Sequence, residues 1–387
     1  MSRPVSLAEE FPHDSGLIYL NHAGLAPWPR RAARAVNDFA AANYQRGAED
    51  YAAWLALETR LRHRLARLVD AESSDDIALV ANTSEGLSLI AYGLDWQPGD
   101  NVVINSDEFP SNRIVWESLA GNRGVEVRDV TLAAVDDPEG VLIEAMDART
   151  RILPVSAVQY ASGLRMDLTR LGRACRANGT LFCVDAIQEL GARAMSARAI
   201  GADFLTADGH KWLLGPEGLG VLYVSPSARE ALALHRYGWH MVEAVGDYAR
   251  KDWSPASSAR RFEAGSPNSL GVHALEASLS LLEEVGMATV EKQVLALSGY
   301  LIEELGRLPG VTPITPDDEA RRAGIVTAEL AMEPEAADSV YRELRRRRIV
   351  AAARGGGIRL SPHFYQDKAS LDAALVQLDE LVTRRRR

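Results

Sequence analysis

Thr206-Ala-Asp-Gly-His-Lys-Trp-Leu-Leu-Gly-Pro-Glu-Gly-Leu-Gly220 sets one lysine, Lys211, between two apolar runs. Ala202-Asp-Phe-Leu-Thr206 leads into it, and the strand-like Leu219-Gly-Val-Leu-Tyr-Val224 leads out. Lysine is scarce in this chain. Lys211, Lys251, Lys292 and Lys368 are the only ones among 43 basic residues, and the rest are arginines. A compact amine on a flexible stem tends to lose its proton among apolar neighbours. Once neutral, it can form a Schiff base with an aldehyde, which arginine cannot do. Gly209, Gly215, Gly218 and Gly220 let the backbone turn tightly near a bulky partner. The plain alternative is a surface loop lysine, and the flanking pattern argues against it.

Working outward, short apolar runs recur at Ile77–Val80, Asn101–Ile104, Val125–Val130, Ile152–Val158, Leu181–Val184, Phe204–Thr206 and Leu219–Val224. Helical patterns such as Ser84–Leu94 and Leu168–Ala177 lie between several of them. That rhythm predicts an α/β fold with a large, mostly parallel, doubly wound sheet buried on both faces. The close spacing of the last runs predicts some antiparallel pairing. Upstream, residues 17–25 read as a short strand ending in a polar turn, and Pro27 and Pro29 open a helix. Trp54, Leu57, Leu61, Leu65 and Leu68 then mark an amphipathic helix with an arginine-rich outer face.

After Gly265 come two long helical patterns, Val272–Val285 and Ala288–Leu308. A smaller α/β unit follows: strand Gly324–Leu330, helix Glu335–Arg346, strand Gly357–Leu360, helix Ser370–Val382. The expected division is a large domain over residues 20–265 and a small C-terminal domain over 266–387, with residues 1–19 packing on the latter.

The composition excludes several classes. No apolar run is long enough for a bilayer, and Met-Ser-Arg-Pro-Val-Ser at the N-terminus lacks a secretory h-region. Two cysteines, Cys175 and Cys183, cannot make a disulfide framework or a Cys-rich metal site, so no metal and a cytoplasmic location are expected. A net charge of −10 disfavours nucleic acid. The basic runs Arg345–Arg348 and Arg384–Arg387 follow helical patterns and read as solvated helix ends, where cations suit the dipole. Gly215-Pro-Glu-Gly-Leu-Gly220 has glycines but leads into a strand, which leaves a dinucleotide-dependent oxidoreductase a remote alternative.

Ligands of open α/β sheets bind beyond the carboxyl ends of the strands, so the residues after each run matter most. Thr83 and Ser84 open a helix after the first run. They offer either a phosphate cradle or an ordinary N-cap. Phe109, after the second, is a stacking platform for a flat ring or a core aromatic at a loop edge. Gln159, after the fourth, can bond a ligand or cap a turn. Asp185 follows the fifth, where a buried carboxylate is costly unless a partner such as a protonated ring nitrogen offsets it; the alternative is again a cap. His210 precedes Lys211 and can face the same ring. Phosphate cradle, platform, carboxylate and Schiff-base lysine together describe a site for pyridoxal 5′-phosphate (PLP).

At this point the chain resembles the class V aminotransferase family of fold-type I PLP enzymes, which includes cysteine desulfurases, kynureninases and isopenicillin N epimerases. The resemblance runs from about Tyr19 to Tyr365. It rests on Thr83-Ser84-Glu85, Asp185-x-x-Gln188, His210-Lys211 and Gly215-Pro-x-Gly218 in that order. It implies that Lys211 holds PLP, Asp185 pairs with the ring nitrogen, and Gln188 bonds the phenolic oxygen. Thr83, Ser84 and His210 would serve the phosphate. Glu108-Phe109-Pro-Ser resembles the kynureninase and epimerase branches, with Phe109 as platform. Arg261-Phe-Glu-Ala-Gly-Ser266-Pro-Asn268 resembles the segment that reaches a neighbour's phosphate, which implies a homodimer with shared sites and Ser266 crossing between them. Gly357-Ile-Arg359-Leu-Ser-Pro-His-Phe resembles the segment whose arginine grips the substrate carboxylate, and Asn21 and His22 match a loop lining the substrate side.

Two departures stand out. Residues 311–356 carry no cysteine, so a desulfurase with a nucleophilic loop thiol is not expected. Asp208 also replaces the small hydroxyl residue common before the lysine, within the phosphate shell. The expectation is a PLP enzyme on a small α-amino acid, with Lys211 as base. Transamination is favoured by the family's name. The alternatives are a cysteine-independent β-elimination lyase (C–S lyase or kynureninase-like), an epimerase and, remotely, a non-catalytic regulator. Trp28, Tyr44, Trp239, His240, Tyr248, His363 and Tyr365 are candidates for the side-chain pocket.

Overall fold

Each strand of the main sheet feeds two apolar cores at once. Leu79, Val103, Leu153, Val184, Leu205 and Val221 belong to one. Their chain neighbours Ala78, Val102, Ile152, Cys183, Phe204 and Leu222 belong to the other. Because successive strand side chains point to opposite faces, this alternation means that both faces are covered. The computed structural model describes residues 6–132, 135–354 and 356–386.

The strands are β1 Ile18–Tyr19, β2 Ile77–Val80, β3 Asn101–Asn105, β4 Glu126–Val130, β5 Thr150–Ser156, β6 Leu181–Asp185, β7 Phe204–Asp208, β8 Gly220–Val224, β9 Val311–Pro313, β10 Val326–Leu330, β11 Ile349–Val350, β12 Ala352–Arg354 and β13 Gly357–Leu360. The main sheet has the order β2-β8-β7-β6-β5-β3-β4. Its seven strands are the seven apolar runs read above. From β4 across to β7 the pairing is parallel. The short hairpin through Lys211 makes β7 and β8 antiparallel, as the close spacing implied.

Helices Thr83–Gly93 and Ser111–Arg123 cover one face with Leu87, Ile90, Trp116 and Leu119. Helices Tyr51–Val69, Leu168–Asn178 and Ser269–Val285 cover the other with Leu61, Leu65, Leu171, Cys175, Leu275 and Leu279. Every strand from β2 to β7 except the half-exposed β4 is lined on both sides, and that burial is what lets such short runs pair stably.

A second sheet, order β12-β13-β10-β9, carries the C-terminal unit. Its core begins with Leu297 in the helix Met287–Arg307. The helix Ser269–Val285 and the first turns of its successor pack on the main core instead. The packing therefore changes inside a helix, well after the division expected at residue 265. At the N-terminus, β1 pairs in parallel with β11 and Asn21 bridges Ser361, tying residues 18–22 to the small unit; residues 1–5 lie outside the described residues. The first arginine run closes a helix and is paired: Arg346 with Glu343, Arg347 with Glu380 and Arg348 with Asp14. Arg384 of the second pairs with Glu380, and Arg387 lies outside the described residues. No described helix is long and apolar enough to cross a membrane.

Candidate active site

The strands that end together build the site. Ser156 closes β5 and pairs with Asp185, which closes β6; Asp208 closes β7 two residues beyond Thr206, the partner of Asp185. Asn82 and Thr83 follow β2, and Phe109 follows β3. With Ser84, Tyr160, Gln188, His210, Lys211, Arg354 and Arg359 they line a cavity of about 300 Å³ at the carboxyl edge of the sheet.

Lys211 sits in the turn between β7 and β8. A Cβ at Gly209 would lie 2.8 Å from the Leu219 carbonyl, so only glycine lets this hairpin close. The lysine is 8% exposed. Burial pulls its amine down to about 8, while Asp185 opposes that shift and Arg359 adds to it. The Nζ stands 5.6 Å from the centroid of the Phe109 ring. Phe109 itself is half-exposed and takes the edge of Tyr160 at 5.3 Å.

Asp185 is buried, and burial pushes its carboxyl up to about 7. The one hydrogen bond recorded for it comes from the Ile187 amide at 3.1 Å. Asn82, which the sequence reading passed over, is the true N-cap of helix Thr83–Gly93; its Oδ1 accepts from the Glu85 amide at 2.9 Å. The amides of Thr83 and Ser84 in the first turn have no intrahelical acceptor. A Cβ on Gly86 would come within 2.6 Å of Thr206 Oγ1, so this glycine brings the helix N-terminus onto β7. His210 Nδ1 stands 3.1 Å from Asp208 Oδ1 without forming a hydrogen bond.

These residues fit PLP. Buried polar atoms around the cavity lack partners: Thr83 Oγ1, Asp208 Oδ1, His210 Nδ1 and Arg359 Nε. Leaving such atoms unmatched is costly, and a phosphate, a ring and a carboxylate would satisfy them. Asp185 is a buried carboxyl at the strand edge, suited to pair with a protonated ring nitrogen.

Other expected residues stand elsewhere. Gln188 lines the cavity, but its amide is partly committed: Nε2 donates to the Ala23 carbonyl at 3.1 Å and Oε1 accepts from Trp212 Nε1 at 3.0 Å. One N–H remains. Gln159 lies behind the cavity wall beside Glu108. His22 is fully buried among aromatics, bonded to the Ser361 carbonyl at 2.8 Å and the Tyr365 hydroxyl at 2.7 Å. Neither His22 nor Asn21 lines the cavity; both fasten β1 to the segment after β13. Ser266 is exposed and outside the cavity of its own chain.

None of the seven candidates for a side-chain pocket lines it either. Trp239 and Tyr248 border a separate cavity of about 470 Å³ with Tyr237 and Trp253. His240 stands beside Glu58 and Glu263, but Arg62 already donates to both carboxylates there, so the cluster holds its own cation.

Arg359, on β13, is 1% exposed and donates from Nη1 to the Tyr160 carbonyl at 2.7 Å. Burial and the neighbouring Arg354 push its guanidinium down to about 10. Ser156, Asn82 and Arg354 were not anticipated. Ser156 lies within the fourth apolar run, and Tyr160 follows it beside Gln159.

A doubly wound sheet with a buried lysine, a strand-end carboxylate and a helix N-terminus around one cavity defines a fold-type I PLP enzyme. The chain belongs to the class V aminotransferase family: the family model "Aminotransferase class-V" matches residues 18–362. The chain is 34% identical over 304 residues to a probable cysteine desulfurase of Methanothermobacter thermautotrophicus, covering 76% of this chain and 74% of that protein. It is 31% identical over 323 residues to a cysteine desulfurase of Pectobacterium carotovorum, covering 81% and 78%. In fold it matches a complex of the cystine C-S lyase C-DES with its reaction product cysteine persulfide, with a TM-score of 0.88 at 24% identity over 96% of this chain and 99% of that one. The cofactor is PLP.

Proposed function

We propose that the protein is a PLP-dependent C–S lyase that performs β-elimination on a cysteine-derived amino acid without a thiol of its own. The observation that carries this reading is the lack of a usable cysteine. Strand β12 ends at Arg354 and β13 begins at Gly357, and these two residues pair. The family resemblance puts a desulfurase's loop thiol ahead of Arg359, and residues 311–356 carry no cysteine. Cys175 and Cys183 are buried in the two cores, and burial raises both thiols, Cys175 to about 12. The names of the relatives favour carbon–sulfur cleavage over the transamination expected from the family's name.

PLP, when bound, supplies the electron sink for negative charge at the substrate Cα. Asp185 holds the ring nitrogen's proton in place, because a carboxylate that resists ionisation alone is stabilised by that partner. Thr83, Ser84 and the first-turn amides bind the phosphate. Phe109 supports the ring face. Arg359 takes the substrate α-carboxylate through its free Nε edge, which orients the Cα–H bond. Lys211, whose amine burial brings down to about 8, takes the Cα proton as general base. The Cβ–S bond breaks and its electron pair leaves on sulfur. With one water, the remainder departs as pyruvate and ammonia, so no oxidant or reductant is required. Ser266, exposed on its own chain, suits a homodimer in which it serves the partner's phosphate site.

The test is to incubate purified, PLP-loaded protein with cysteine, cystine and other β-substituted amino acids and assay pyruvate and released sulfur. Stoichiometric pyruvate with thiol or persulfide supports elimination. Keto-acid-dependent conversion to a new amino acid, without pyruvate from the β-substituted substrate, would overturn it in favour of transamination.

A further inference from the structure

The cavity holds more positive charge than the chemistry above uses. Asp185 answers the ring nitrogen, Asp208 lies beside His210, Lys211 serves the aldehyde and Arg359 serves one carboxylate. Arg354 is left over. Among the described residues its guanidinium hydrogen-bonds only the carbonyl of its own neighbour, Ala353, at 2.7 Å. Among the described residues no carboxylate lies within ion-pair distance of it, although most arginines around it on the small unit have found one.

The hairpin register explains why the two arginines share one cavity. Ala352 pairs with Arg359, and Arg354 pairs with Gly357. Residues directly opposite across an antiparallel pair share a face, as do residues two apart on one strand. Arg354 and Arg359 therefore project from the same face, one step apart along the hairpin. Arg359 is the inner one, fully buried, and Arg354 is the outer one, exposed at the rim. Glycine opposite Arg354 leaves its guanidinium unobstructed. Like charges set this close are unfavourable unless anions join them, and the effect reaches the site: Arg354 lowers the pKa of both Arg359 and Lys211.

We infer that Arg354 is a specificity-determining residue that binds a second carboxylate, carried on the far side of the substrate's sulfur. The inference rests on the elimination reading for the identity of that arm. It names the substrate class: an amino acid whose β-sulfur bears a carboxylate-terminated group, such as a disulfide or thioether joining two acids. Arg359 takes the α-carboxylate in the interior, and Arg354 takes the distal one at the mouth.

The experiment separates this claim from the chemistry by using ligands that cannot eliminate. Calorimetry on the PLP-loaded protein compares 2-aminosuberate with 2-aminooctanoate, equal in chain length and differing in the terminal carboxylate. The dicarboxylate should bind about fivefold more tightly, the upper end for an exposed charge pair. That preference should shrink in high salt and collapse to near unity in Arg354→Ala and Arg354→Gln. Equal affinities in the wild type, or a preference surviving in both variants, would overturn the inference. So would loss of PLP retention in the variants, which would move Arg354 to the phosphate. If the preference behaves as stated while no sulfur amino acid yields pyruvate, elimination fails and the two-carboxylate site stands.

Discussion

Arg359 Nη1 donates to the main-chain carbonyl of Tyr160 at 2.7 Å, and the Tyr160 ring meets Phe109 edge-on at 5.3 Å. One residue thus joins Arg359 of the small unit, the proposed carboxylate anchor, to Phe109 of the main sheet, the proposed cofactor platform. The loop bearing Tyr160 is held from the other side as well. Thr327 Oγ1 donates to the Ala161 carbonyl and Thr315 Oγ1 to the Ser162 carbonyl, both at 2.6 Å. The anchor and the platform are therefore positioned as one assembly.

Arg359→Lys keeps the charge but loses the planar fork that spans Tyr160 and a carboxylate. Removing one side of a buried charged contact costs about 2–5 kcal/mol. The expected loss in kcat/KM is roughly 30-fold or more, since about 1.4 kcal/mol is tenfold. Steady-state assays on the preferred amino acid, with PLP retention unchanged in the visible spectrum, check this.

Lys211→Ala should purify without covalently held cofactor. Borohydride reduction followed by intact-mass measurement should add one PLP to the wild type and none to the variant. Loss of the general base should cut turnover by roughly a hundredfold or more.

The lowered amine of Lys211 sets the pH dependence of cofactor capture. Only the neutral amine attacks an aldehyde, and its pKa near 8 lies below the ordinary 10.5. The rate at which PLP-free protein captures PLP should climb up to about pH 8 and then level off. Capture by an ordinary exposed lysine would still be rising. Stopped-flow absorbance across pH 6–10 reads the curve.

Asp185→Asn should trade function for stability. The folded protein without PLP holds the Asp185 proton up to about pH 7, against 3.8 ordinarily, so the folded state binds more protons than the unfolded chain. Stability therefore falls as pH rises between those values. In PLP-free protein the variant should melt higher than wild type at pH 8, and the gain should vanish near pH 4. With PLP it should lose roughly a hundredfold in turnover, as when a preorganised electrostatic partner is removed.

Cys175→Ala with Cys183→Ala should keep turnover within about twofold of wild type, with a modest drop in melting temperature from the small cavities left in two cores. A carrier thiol would make the double variant inactive. Single-turnover sulfur release compares the two.

Burial decided what could be read in advance. Each main-sheet strand is a run of core side chains, so its apolar residues announced it, and Asp185, Lys211 and Thr83 stood out by contrast at the ends. The strands β9, β11 and β12 have two or three residues each, too few for a period to show. His22 was expected at the substrate side from its match to the family's N-terminal loop, and a motif match does not show whether a polar residue faces a ligand or a neighbour. Its partners, Ser361 and Tyr365, lie more than 300 residues away. Arg354 was overlooked for the same reason: only the register with β13 sets it beside Arg359.

The hairpin from β12 to β13 also governs where sulfur can travel. A thiol on a long arm can swing out of a cavity and hand its cargo to another protein surface. The hairpin carries no cysteine, and Cys175 and Cys183 are buried in the cores, so neither thiol has that reach. Under the elimination reading, freed sulfur leaves by diffusion as a small molecule. Whatever uses it must then compete for it in bulk solution, without docking on this enzyme.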